Sequence, residues 1–306
     1  MDKFKKGIVA LCISALLAAC NETEPVITQQ EEEPTVEEIK ENTRDGLSVT
    51  DILQQSINVM ENIESLSSNL DVTQELIFPN EESYVATSTL YIEMIQKPLV
   101  MYQRNVMDVP EMGKLETELY MVEDGVYYKD AIEDVWFTYP EDFTQELRGL
   151  DETQMSPAEQ LELLTRHTDY LAYSEDDTHY ILTIKGSNDS LQIFAEEIND
   201  LVLDEMTTDI EQLMTVASIQ DIDYELYIEK ETFIQTEMKM KMSLQLEIKE
   251  ELVEIQSTIH ATFDHFNDIS SIIVPPVIVE NAEEYNPYAD LDNLEDLEEL
   301  EEGTTE

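Results

Sequence analysis

Cys20 is the residue of this chain whose chemistry and setting are most specific. Its thiol follows two small residues, Ala18 and Ala19, at the end of an apolar run over residues 8–17, and Lys3, Lys5 and Lys6 stand before that run. A basic start, an apolar stretch and small residues ahead of a cut is the order of a secretory signal peptide. In this chain the cut would leave a thiol on the new first residue. Cys12 falls inside the segment that would be removed, so the mature chain has no second thiol for a disulfide, a redox pair or a thiolate metal site. A transmembrane reading of residues 7–19 fails on length. A span needs roughly 20 apolar residues, and the run meets Asn21, Glu22 and Glu24 directly after Cys20. A buried core helix would leave the basic start and the polar break unexplained.

Leu17-Ala18-Ala19-Cys20 resembles the lipobox of bacterial lipoproteins. The resemblance implies cleavage before Cys20, a diacylglycerol on its sulfur, palmitate-type acylation, and residence on the extracytoplasmic face of the cell membrane. Two acyl chains would hold the protein firmly, since each buried methylene adds about 0.8 kcal/mol.

No other residues assemble into a catalytic pattern. His167, His179, His260 and His265 form no H-E-x-x-H arrangement and read as surface histidines. There is no G-x-S-x-G elbow, and none of the seven glycines is spaced to cradle phosphate. Asp290-Leu291-Asp292-Asn293 has part of a calcium-loop pattern but lacks the glycine and terminal glutamate that the loop requires. The reading is a non-enzyme with no metal and no cofactor.

Charge narrows the partners. The chain carries 16 basic and 70 acidic residues, a formal net charge of −54 at pH 7. Loss of residues 1–19 would remove Asp2 and three lysines and leave 13 basic and 69 acidic residues, a net −56. Such a surface repels phosphate backbones, which excludes nucleic acid. The acids are spread along the chain, as expected of a solvated surface, rather than gathered into liganding motifs. The expected partners are the membrane, through the acylated cysteine, and an apolar or acyl ligand; a monomer is expected.

Four segments follow from composition. Residues 1–19 read as a lipoprotein signal peptide, and residues 20–47 as a disordered acidic tether carrying Glu31-Glu32-Glu33-Pro34. Residues 48–279 read as one folded domain. Residues 280–306 read as an acidic disordered tail, within which Leu291, Leu294, Leu297 and Leu300 recur every third residue.

Within the domain, Ser48-Val49-Thr50-Asp51 offers N-cap residues to a helix carrying Ile52, Leu53, Ile57, Met60 and Ile63. Period-two alternation follows in Leu70, Val72, Leu76 and Phe78 and again in Leu90, Ile92 and Met94. A turn is expected at Lys97-Pro98, then strands over residues 99–107 and through Leu115, Leu119 and Met121. Short strands follow at Tyr127-Tyr128 and Val135-Trp136-Phe137. Ser156-Pro157 starts a helix that runs through Leu161 and Leu164 to Tyr170. A strand over residues 180–184, a turn over 186–189 and helix over 191–214 come next. The clearest alternation is last. Ile222 to Ile228 hold one parity, as do Met238, Met240, Met242, Leu244, Leu246 and Ile248, then Val253, Ile255, Ile259, Ala261 and Phe263. Long strands joined by short turns build an antiparallel sheet with one apolar face.

The fold class expected is α+β, a curved antiparallel sheet whose concave face the helical middle can pack against. Candidate cavity-lining residues are Met238, Met240, Met242, Leu244, Leu246, Ile255 and Ile259. The methionines suit a pocket for variable apolar ligands, but alternation alone favours a core packed against helices.

Pro98-Leu99-Val100-Met101, Glu118-Leu119-Tyr120-Met121, Gly125-Val126-Tyr127-Tyr128, Trp136 and the strand pair over residues 224–263 look like an uncharacterised family of Firmicute lipoproteins. These carry a domain of unknown function with a fold like the lipoprotein carrier LolA and the mycobacterial lipoprotein LppX. The resemblance covers about residues 48–275 and implies an incomplete β-barrel of antiparallel strands, closed by helices, as a half-barrel around an apolar cavity. It carries over no catalytic residue.

Overall fold

Ser48 starts the first helix, α1 (Val49–Met60), in a computed structural model that describes residues 46–79, 83–110, 112–140, 157–187, 218–248 and 251–285. The expected signal peptide with Cys20, the tether up to residue 45, the helix over 191–214 and the tail beyond Tyr285 lie outside the described residues. Ser48 Oγ accepts the Asp51 N–H at 3.1 Å, and the Asp51 carboxylate accepts the Ser48 N–H at 2.9 Å. The pair is a capping box with aspartate in the usual glutamate position. Ile52, Leu53, Ile57 and Met60 then fall on one face and are buried.

Alternation turns the next residues into a meander of β1 (Ser65–Ile77), β2 (Tyr84–Ile95), β3 (Val100–Val109), β4 (Gly113–Val122), β5 (Gly125–Lys129) and β6 (Trp136–Thr138). The β2–β3 turn holds a cis Lys97–Pro98 peptide, and Gly113 enters β4 at φ +78°, a conformation open to glycine. The middle of the chain supplies α2 (Pro157–Arg166), a single 3-10 turn and β7 (Leu171–Glu175). A second meander follows in β8 (His179–Ser187), β9 (Ser218–Glu229), β10 (Gln235–Ile248) and β11 (Glu251–Asp264), then α3 (Pro276–Asn281) and β12 (Glu283–Glu284).

Among the described residues, twelve strands join one sheet in the order β12-β6-β5-β4-β3-β2-β1-β11-β10-β9-β8-β7. The two meanders meet where β1 pairs antiparallel with β11, from Ser67 opposite Asp264 to Ile77 opposite Glu254. The sheet is open, with β7 and β12 at its ends, and with its few helices it places the fold in the α+β class. One edge is not antiparallel: β12 runs parallel to β6. α1 and α2 pack on one face, the inner face. Ile52, Leu53 and Met60 meet Leu161 and Leu164 there, above Leu66, Leu182, Ile184, Ile222 and Leu226.

Four local expectations differ from the structure. The helix expected to reach Tyr170 ends at Arg166, and Leu171–Glu175 is an edge strand where no element was expected; with five residues it offers too few alternations to be read. β8 runs on through Gly186 and Ser187, paired with Ile222 and Asp221, where a turn was expected. His167 is only 5% exposed, because the 3-10 turn after α2 brings its ring within 6.3 Å of Tyr170. The chain also remains in the fold past residue 279. The Tyr285 N–H donates to the Thr138 carbonyl at 2.8 Å, and the Tyr285 ring lies against Phe137 and Tyr139.

Two outcomes test these local devices. Ser48→Ala should lower the unfolding free energy by about 1 kcal/mol in urea titration, the usual cost of losing an N-cap. In the β7–β8 turn, Asp176 Oδ1 accepts the N–H groups of Thr178 at 2.7 Å and His179 at 2.6 Å. These bonds push its carboxyl pKa down to about 2. A folded-state pKa below the unfolded value gives stability that is present above about pH 4 and fades toward pH 2. Asp176→Asn should therefore lower the melting temperature at pH 6, with the gap to wild type closing by pH 2.

Candidate functional site

The inner face takes its lining from strand parity. On β10 and β11, Met238 stands opposite Ala261, Met240 opposite Ile259, Leu244 opposite Ile255 and Leu246 opposite Val253. All seven candidate lining residues share this face. Met242, Leu244, Leu246, Ile255 and Ile259 are buried, and Met238 and Met240 are half-buried. Met242, Leu244, Leu246 and Ile255 join Leu76, Phe78, Ala86, Val109 and Val253 in one apolar cluster, flanked by Tyr84, Met107 and Leu115. Among the described residues this cluster is built from β1–β4, β10 and β11 and the residue after β1. The helices α1 and α2 belong to the other large cluster, and Met240 touches both. Tyr224, opposite Met240 on β9, has its phenol pKa pushed up by burial and stays neutral.

A polar track crosses the same face, and the apolar periodicity did not reveal it. Ser257 on β11 stands directly opposite Gln74 on β1, and the Gln74 amide donates to Ser257 Oγ at 3.3 Å. Gln74 is one diagonal step from Ser88 on β2, because its direct partner is Ala86. Ser88 is one diagonal step from Asn105 on β3, and its hydroxyl donates to Asn105 Oδ1. Asn105 stands opposite Thr117 on β4. Diagonal neighbours lie about 7–8 Å apart, within reach of such side chains. Exposures of 3% for Ser257, 2% for Gln74, 4% for Ser88 and 7% for Asn105 put the track inside the protein. The sequence did carry a signal: Gln74 interrupts the parity of Leu70, Val72 and Leu76, and Ser257 interrupts that of Ile255 and Ile259. Elsewhere in the interior, Ser56 Oγ on α1 and Gln235 Oε1 on β10 are buried with no hydrogen-bond partner among the described residues.

No lysine or arginine takes the inward parity on the described parts of β1–β4 or β9–β11. Arg104, Lys114, Lys239 and Lys241 all alternate outward. Charge is handled on the outer face. Glu237 lies between Lys239 at 2.9 Å and His260 at 2.8 Å. Partial burial raises its pKa, but the hydrogen bonds from the two bases outweigh that and hold it below the usual carboxylate range. Tyr91, Tyr102, Tyr120 and Trp136 form an outer-face ladder with ring centroids 6.5, 4.6 and 5.8 Å apart in succession.

Ser67, Asp264 and His265 meet where β11 ends. His265 Nδ1 lies 3.0 Å from Ser67 Oγ and 2.6 Å from Asp264 Oδ1, and the Ser67 hydroxyl also bonds directly to Asp264. A nucleophile–base–acid relay needs the serine on one ring nitrogen and the carboxylate on the other. With both on Nδ1, the trio works as a clamp on the strand end. Among the described residues, no group of three or more His, Cys, Asp or Glu side chains is placed to hold a metal ion. What the inner face can do chemically is bury hydrocarbon and exchange uncharged hydrogen bonds.

Solved structures with weak likeness include a DUF1329 family protein from Desulfovibrio piger, at 9% identity over 73% of this chain and 95% of that one, with a TM-score of 0.24. A LolA superfamily protein from Nitrosomonas europaea aligns at 10% identity over 76% and 97%, with a TM-score of 0.18. An outer membrane lipoprotein-sorting protein domain from Vibrio parahaemolyticus aligns at 6% identity over 76% and 96%, with a TM-score of 0.25. Scores of this size carry no argument, and the architecture rests on the strand order and registers above. No curated protein matches this chain. Residues 48–283 match the model of a family of unknown function, DUF6612, and the chain belongs to that family.

Proposed function

We propose that this protein is a membrane-anchored, extracytoplasmic lipoprotein of the Firmicute type, whose half-barrel binds a lipid or other apolar ligand without catalysis. The observation that carries the reading is the shared inner face of the seven predicted lining residues. Four of them, Met242, Leu244, Leu246 and Ile255, make one apolar field with neighbours on β1–β3 and β11, and Met240 joins that field to the helix-covered cluster. Binding would work by sequestration. A hydrocarbon chain moving onto this face would gain roughly 25 cal/mol per Å² of apolar area covered. The anchor rests on Leu17-Ala18-Ala19-Cys20 and the basic, apolar stretch before it. The tether's like charges would hold the domain off an anionic membrane.

A second reading, an envelope interaction module, is favoured by the half-buried Tyr91–Tyr102–Tyr120–Trp136 ladder on the outer face of a strongly acidic chain. Its association would weaken as salt rises, whereas apolar sequestration would hardly respond.

Organic extraction of the purified, non-acylated protein, followed by mass spectrometry and titration with a fluorescent fatty acyl probe, separates the two. A co-purified lipid or saturable uptake is expected. An empty extract with no uptake would leave the interaction module. In cells fed a palmitate analogue, the wild-type protein should be labelled and pelleted with membranes, and Cys20→Ala should lose both.

A further inference from the structure

We infer that the inner face is built for an uncharged amphiphile: an acyl ester or amide, bound with its hydrocarbon chain on the Leu76–Leu244–Ile255 field and its polar group on the Ser257–Gln74–Ser88–Asn105 track. The inference rests on the carrier reading above and adds the chemistry of the head. Serine hydroxyls and carboxamides both donate and accept, so the track can serve an ester or amide carbonyl and a neighbouring hydroxyl together. Its position beside the apolar field puts such groups one strand step from the tail. The absence of inward Lys or Arg on the described β1–β4 and β9–β11 argues against a carboxylate or phosphate head. An anion buried there would have no counter-charge, and isolated buried charge is strongly disfavoured.

A plain core would be served as well or better by apolar side chains at these positions, since removing both partners of a buried hydrogen bond is often nearly neutral. Val72 and Ile259, next to Gln74 and Ser257 along the same strands, show that the site admits β-branched apolar residues.

The test uses the full chain carrying Cys20→Ala, so that no anchor lipid competes, and three probes sharing one fluorescent acyl tail. These are the monoacylglycerol, the free fatty acid at pH 8, and the headless hydrocarbon. The monoacylglycerol should bind about tenfold or more tighter than the fatty acid, the ratio that about 1.4 kcal/mol gives. In Ser88→Ala/Asn105→Leu, monoacylglycerol binding should fall to the level of the hydrocarbon while hydrocarbon binding stays within about twofold. Gln74→Leu/Ser257→Ala gives a second, independent pair with the same expectation, and it decides the outcome should the first pair misfold. Equal affinity for ester and fatty acid, or unchanged monoacylglycerol binding in the variants, would overturn the head-group assignment and leave the carrier standing. If even the hydrocarbon fails to bind the unsubstituted face, both fall.

Discussion

The ladder between β1 and β11 is the constraint on which the rest of the structure depends. Among the described residues, all the other antiparallel pairings join strands that follow one another along the chain. Only β1 against β11 turns two meanders into one sheet, and it does so between residues nearly two hundred positions apart. Closing a loop of that length costs entropy before any contact repays it. The repayment is concentrated at one end. Asn267, in the left-handed region at φ +62°, donates its N–H to the Ser65 carbonyl at 2.8 Å and accepts the Glu64 N–H on Oδ1 at 2.7 Å. The Ile269 N–H reaches Ser65 Oγ at 3.1 Å, and the Ser67–Asp264–His265 clamp lies beside them.

That seam also creates the candidate site. Leu76 and Gln74 belong to the first meander, and Ile255, Ser257, Met242 and Leu244 to the second. Neither meander alone presents the apolar field beside the polar track. The two meanders share the labour unevenly. The second supplies the methionine stretch and most of the packing surface for α1 and α2, to which the first adds Leu66 and Met94, and the first supplies most of the hydrogen-bonding residues of the track. Sorting charge by face completes the arrangement. The outward parity of the same strands carries Glu237, Lys239, His260, Arg104 and Glu116, where water screens them, and the inward parity stays uncharged across the track.

Much of this fold was legible in the residues because its signals are local. The Ser48–Asp51 capping box, the spacing of Ile52, Leu53, Ile57 and Met60, and the long single-parity runs on β10 and β11 fix element type and facing direction within a dozen residues each. β7 and β12 were not legible, since a five- or two-residue strand has almost no period to read. Burial of His167 depends on which way a 3-10 turn swings the chain, and nothing in the flanking residue types states that.

By itself, then, the sequence determined the signal-like start with its thiol, the acidic excess, the order of the long strands with α1 and α2 around them, and which residues of each long strand share a face. These follow from composition and from periods of 2 and 3.6, which every segment carries within itself. Tertiary structure alone decided that β1 lies beside β11, and in what register. Period-two alternation says which side a residue faces but not which strand comes next to it or how far that strand is offset. The offset is what sets Ser257, Gln74, Ser88 and Asn105 on one diagonal, and so only the assembled sheet could turn four scattered polar residues into a continuous track.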